Sequence, residues 1–138
     1  MAKIDNITGK ARANEYFRQV LATGKHTQIV VMSIPAGQDI GEETHPDNDQ
    51  VLYLIEGSGQ VVLDGNESGF NTGDLVLVPA GTKHNFITKG DQPMKIITSY
   101  SPPHHPDGTI HKTKQDAQNA EKQSANLAAT TASTFQAL

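Results

Sequence analysis

The sequence contains no cysteine, which removes disulfide staples, thiolate metal sites and cysteine nucleophiles from consideration. It has no tryptophan and only three tyrosines and four phenylalanines, so its core must rest on valine, isoleucine and leucine. No apolar run approaches the ~20 residues of a membrane span. The first residues lack the basic-then-apolar pattern of a signal peptide. Eleven basic residues are scattered among 15 acidic ones, for a formal net charge of −4, so there is no cationic stripe for nucleic acid and no polybasic membrane anchor. The expectation is a soluble, cytoplasmic protein with neither nucleic acid nor membrane as partner. At 138 residues the chain suits one domain that needs no cross-links.

What is present is a series of short β-branched runs. Gln28–Ile34 is apolar on both faces and reads as a buried strand. Further strands are expected at Gln50–Ile55, Gly59–Asp64, Asp74–Val78, His84–Thr88 and Lys95–Tyr100. Breaks such as Asp64-Gly65-Asn66 and Pro79-Ala80-Gly81 separate them, each with the Gly, Pro or Asn chemistry of tight turns. Short strands at this spacing argue for an all-β sandwich or small barrel, and no βα alternation supports a parallel sheet. Three regions are expected: an N-terminal arm over 1–25, a barrel domain over 26–115, and a polar tail rich in Ala, Gln, Ser and Thr over 116–138. Asn14–Leu21 reads as a short helix or an irregular arm whose Phe17, Val20 and Leu21 must pack on something. Gln115–Ala129 carries a weak amphipathic pattern, and the tail is expected to be loosely docked or mobile.

The chemistry concentrates in Gly41–Gln50. Glu43 and His45 stand two residues apart and share a face if the chain is extended. A Pro46-Asp47-Asn48-Asp49 turn then brings Gln50 to the head of the apolar run Val51–Ile55. A second imidazole, His84, follows Pro79-Ala80-Gly81-Thr82-Lys83. Two His, one Glu and one Gln in a strand-rich chain suit a metal held by nitrogen and oxygen ligands. If Gln50 and His84 face inward, alternation turns Leu52, Leu54 and Phe86 inward too. Tyr100, at the end of the last strand, either presents its hydroxyl to this space or packs as a strand-end aromatic. His104, His105 and His111 sit in or near a Pro-rich stretch, and a surface loop is expected there.

Together these stretches resemble the cupin superfamily. Its first motif runs from a glycine through His-x-His and a Glu to a second glycine. Gln50 and Gly57 keep the last interval with Gln in place of Glu, His45 fits the second His, and Glu43 stands where the first would be. Its second motif combines Gly, Pro-x-Gly, His and Asn. Gly73, Pro79, Gly81 and His84 match it, and Thr88 takes the Asn position. Tyr100–Lys114 is also similar to the ending of small single-domain bacterial cupins, some labelled mannose-6-phosphate-isomerase-like.

The resemblance implies an antiparallel double-sheet jelly-roll barrel, commonly a homodimer, with a divalent metal (Zn, Mn, Fe or Ni) inside it. Carried over by position, His45, Gln50 and His84 would be ligands. Glu43 would be a fourth ligand or a base beside the ion. The implied function is a metalloenzyme of isomerase, epimerase or lyase type, with Glu43 or Tyr100 moving a proton on a sugar, sugar acid, or keto or hydroxy acid. An Fe(II) dioxygenase and a non-catalytic metal- or ligand-binding barrel are the alternatives.

Overall fold

The computed structural model describes residues 2–123. The chain begins with a helix, α1 (Ile7–Ala13), and strand β1 (Arg18–Thr23). There follow β2 (Gln28–Ile34), β3 (Asp49–Glu56), β4 (Ser58–Leu63), β5 (Asn66–Asn71), β6 (Leu75–Val78), β7 (His84–Thr88), β8 (Met94–Ser101) and the short β9 (Ile110–His111). Residues 114–123 are helical and are called α2. Expectations for residues 124–138 lie outside the described residues.

Two antiparallel sheets face each other as a jelly-roll barrel. One has the order β6-β3-β8-β2-β1-β9 and the other β5-β4-β7. The smaller sheet is extended at β7 by residues 38–43: Ile40 N–H donates to the Phe86 carbonyl, and Glu43 and His84 exchange both backbone hydrogen bonds at 2.9 Å.

Register sorts the interior into rows. Gln28, Tyr100, Gln50 and Val78 lie side by side at one end of the larger sheet. Two residues along lie Val30, Thr98, Leu52 and Val76, then Met32, Ile96 and Leu54. The first row is largely polar and the third wholly apolar. Leu52, Leu54 and Phe86 are fully buried, as alternation requires. Phe70 packs edge-on against Phe86, ring centres 5.2 Å apart. The barrel thus has a filled end, and a mouth at the Gln28–Tyr100–Gln50 row.

Asn14–Leu21 is neither one helix nor an irregular arm. α1 ends at Ala13, and from Arg18 the chain is a strand paired with β2. Phe17, Arg18 and Val20 are buried while Gln19 and Leu21 are half-buried, an alternation too short to show without the partner strand. α1 packs Ala11 against Val31 and Ile55 on the outside of the larger sheet. β5 also escapes a reading of apolar runs, because only Phe70 in it is buried. It forms because Asp64 and Gly65 both take positive φ, 48° and 82°, the conformation of a type I′ hairpin turn. α2 is anchored by Ala117, which joins the core, and by an ion pair from Lys114 to Asp39. Among the described residues no helix is long and apolar enough to cross a membrane.

Candidate metal centre

Three backbone devices assemble the centre. The paired bonds between Glu43 and His84 set these side chains next to each other. Two residues beyond Glu43, the His45 carbonyl accepts from Gly81 N–H at 2.9 Å. Gly81 has φ 86° and follows Ala80 in a turn closed by Thr82 N–H to Pro79 O, the type II geometry that requires glycine at this position. Gln50 is fixed by register between Val78 and Tyr100.

The result is a cluster in which ligand-capable atoms of Glu43, His45 and His84 all lie within 4.8 Å of one another. Glu43 Oε2 is 3.1 Å from His45 Nε2, a polar contact with its carboxylate, but that buried nitrogen makes no well-formed hydrogen bond. Gln50 donates through Nε2 to Thr98 Oγ1 at 3.1 Å, while its Oε1 is buried and unpartnered. Tyr100 lies beside Gln50 in register, its ring centre 5.8 Å from that of His45.

Two orphaned buried atoms, one imidazole nitrogen and one amide oxygen, are expensive where nothing binds them. The donor set fits a divalent ion that takes nitrogen and oxygen. His84 is prepared for the same role. Its Nδ1 is 2.8 Å from the Thr82 carbonyl, which can only accept, so Nδ1 carries the proton and Nε2 the lone pair. This is the outer hydrogen bond that commonly orients a ligand imidazole.

The electrostatics agree. Burial holds the His84 pKa below its ordinary value, although the Thr82 hydrogen bond opposes the shift, so the ring is neutral at neutral pH. Burial pushes Glu43 upward, but contact with His45 and the charge of Arg18 outweigh it, and its carboxyl sits below the usual range. Tyr100 is pushed up to about 12, chiefly by burial and against the pull of Arg18. It is therefore a phenol at neutral pH, able to donate a hydrogen bond but not to act as a base. A cavity of about 140 Å³ opens on Glu43, bounded by Arg18, Ile40 and the α2 residues Lys114, Ala117 and Gln118.

The loop carrying His104 and His105 lies at the surface, yet it also reaches the mouth. His104 is exposed on one side, but its ring centre is 4.4 Å from that of His45. It also stacks on Tyr100, centres 5.4 Å apart. The cause is Gln28, fully buried at the mouth. Its Oε1 accepts from His104 N–H and His105 N–H, and its Nε2 donates to the His105 carbonyl at 2.7 Å. One side chain thus pins the loop to the barrel wall. Sequence reasoning also misses Arg18, which is buried beside the centre; its signal is a cation at an inward position of an alternating stretch, visible only once β1 is recognised.

A cupin-domain family model matches residues 30–100. The chain is 43% identical over 122 residues to YrkC of Bacillus subtilis, an uncharacterised protein, covering 84% of this chain and 66% of that one. It thus spans just under two thirds of that relative's length. It is 32% identical over 76 residues to quercetin 2,3-dioxygenase of Bacillus subtilis, covering 52% of this chain but only 23% of that enzyme. The solved structure of the Bacillus halodurans protein BH2720 superposes with a TM-score of 0.84 at 38% identity, covering 86% of this chain and 95% of that one. The motifs, the two-sheet barrel and these matches agree: the chain belongs to the cupin family.

Proposed function

We propose that this cupin is a divalent-metal-dependent enzyme for a small polar, oxygen-rich molecule such as a sugar, a sugar acid, or a keto or hydroxy acid. The observation that carries the reading is the pair of orphaned buried atoms, His45 Nε2 and Gln50 Oε1, beside Glu43 and the oriented His84. His45, Gln50 and His84 would hold the ion, with Glu43 as fourth ligand or as the base next to it. When bound, such an ion supplies Lewis acidity toward adjacent substrate oxygens.

The chain's own residues supply the rest. Glu43 is ionised, opens on the cavity and is the group to accept a proton from substrate carbon or hydroxyl. Tyr100 stays protonated and donates a hydrogen bond to developing negative charge. The His104 ring lies over His45 and keeps bulk water from that side. This is isomerase, epimerase or lyase chemistry. Glu43→Gln should abolish exchange of a substrate C–H proton with deuterated solvent, roughly 10²–10⁴-fold being the usual worth of a positioned base. Undiminished exchange in that variant would remove Glu43 from the role.

A second reading, Fe(II) dioxygenase chemistry on the same residues, draws on the similarity to quercetin 2,3-dioxygenase. It predicts oxygen uptake by the iron-loaded protein with a diol or diketone; an absence of uptake across such substrates would leave the first reading alone.

We also propose a homodimer. β6 is an edge strand whose outer face exposes Leu75 at 63% and Leu77 at 54%, next to Tyr53 of β3, and an uncovered apolar edge invites pairing. Sedimentation should give a dimer mass that Leu75→Lys converts to monomer. A concentration-independent monomer of the unmodified chain would refute it.

A further inference from the structure

Arg18 is 2% exposed, a burial that guanidinium groups reach rarely and only when paired. Its Nη1 is 3.1 Å from His111 Nδ1, and its carbon lies 5.2 Å from the Phe17 ring centre. Its Nε is buried with no hydrogen-bond partner. No carboxylate among the described residues comes within the 4.0 Å of an ion pair with it. The Glu43 carboxylate feels its charge from a longer distance, but a buried cation with no counter-anion in contact remains costly.

The surroundings of Arg18 are built to face an anion. A cavity of about 360 Å³ is lined by Arg18, His104, His105, His111 and Thr109, with Glu121 at its rim on α2. His105 Nε2 is a second buried nitrogen without a partner. A guanidinium only donates, so His111 Nδ1 accepts from Arg18 and the His111 proton sits on Nε2, leaving a further donor. Gln28 locks the backbone of His104 and His105 in place, so this arrangement is set before any ligand arrives. The volume suits a small metabolite rather than a polymer.

We propose that Arg18, His105 and His111 form a subsite for the oxyanion of a small carboxylate- or phosphate-bearing molecule, beside the centre at Glu43, His45 and His84. Arg18 lines both this cavity and the smaller one at Glu43. The reading that one molecule spans the two, its anion on Arg18 and its hydroxyl or keto oxygens toward Glu43, rests on the proposed metal enzyme; the subsite itself does not. Guanidinium recognises both kinds of oxyanion in the same forked manner, so the two sources are separated by experiment. Glu121 is the like-charged competitor, exposed at the rim.

The test titrates the full chain, as purified, with inorganic phosphate and separately with propionate. It follows the histidine ring and arginine Nε–H signals by NMR, and repeats both titrations on Arg18→Met, His111→Phe, Glu121→Gln and His84→Ala. Saturable binding of one probe is expected, and which probe binds identifies the source. Binding should weaken at least about tenfold in Arg18→Met and about threefold in His111→Phe, tighten in Glu121→Gln, and change less than about twofold in His84→Ala. Arg18→Met should stay folded, with a melting temperature no lower than that of the parent without anion, because an apolar side chain of similar length relieves the buried charge; if it does not fold, His111→Phe and Glu121→Gln decide. No saturable binding of either probe overturns the proposal. So does binding indifferent to Arg18→Met, or binding lost in His84→Ala, which would assign the anion to a metal. Absent metal with Arg18-dependent binding intact would sink the metal-enzyme reading alone.

Discussion

The two ends of the barrel are built on the same strands yet packed on opposite principles. At the filled end Met32, Ile96 and Leu54 lie in one row, with Phe70 against Phe86 across from them. These side chains are apolar and buried, and the polar Thr88 beside them is satisfied by its hydrogen bond to the Ile34 carbonyl. Two rows away, at the mouth, Gln28, Tyr100 and Gln50 occupy equivalent inward positions. Around them gather the imidazoles of His45, His84, His104 and His105, a carboxylate and a buried guanidinium, with three nitrogens and the Gln50 amide oxygen left without hydrogen-bond partners. The filled end recovers free energy by removing apolar surface from water, about 25 cal/mol per Å². The mouth forgoes that gain and adds desolvation costs. One end holds the fold, and the other is arranged for something the protein does not itself contain.

This contrast predicts mutational effects of different kinds. The largest stability loss belongs to the filled end. Phe70→Ala should cost about 3–5 kcal/mol in equilibrium denaturation, the usual cost of truncating a buried aromatic, while leaving bound metal per folded chain unchanged. A loss of metal with that substitution would mean that the two ends are not separable.

An intermediate effect comes from His105. Burial, with the charge of Arg18 adding to it, lowers its pKa to about 2. The folded state therefore keeps the ring neutral, whereas the unfolded chain protonates it below about pH 6.5. The unfolded state binds more protons throughout that window, so stability present above pH 6.5 is lost as the pH falls toward 2, by at most ~1.4 kcal/mol per pH unit. His105→Phe should flatten part of this slope in denaturant titrations at stepped pH. Identical slopes for the two proteins would contradict the burial of this ring at the mouth.

The smallest stability effect, and the sharpest contrast, is expected for Gln50→Met. In metal-free protein it should change stability by less than about 1 kcal/mol, or raise it, because it removes an orphaned amide oxygen at nearly constant volume. The same change should weaken metal binding. A large destabilisation with unaltered metal content would make Gln50 a structural residue.

Much of the barrel is legible in the sequence because strands β2, β3, β4, β6, β7 and β8 carry their own β-branched runs between glycine and proline turns. β1 and β5 are not, for two different reasons. β1 alternates over too few residues, and β5 is polar except for Phe70. The Glu43, His45 and His84 cluster follows from motif spacing. Arg18 and His104 do not: one arrives from a strand hidden in the N-terminal segment, and the other is drawn in by Gln28, a residue whose side-chain hydrogen bonds reach across 76 and 77 positions of sequence. Local pattern reports which strands form, whereas long-range side-chain hydrogen bonds decide what surrounds the mouth.

The most direct test is elemental analysis of the protein purified without chelator or His tag, beside His84→Ala handled identically. Near-stoichiometric divalent metal is expected in the first and its loss in the second, with both proteins folded. Metal absent from both, or retained undiminished by His84→Ala, would contradict the assignment of the orphaned donors at the mouth to a metal ion.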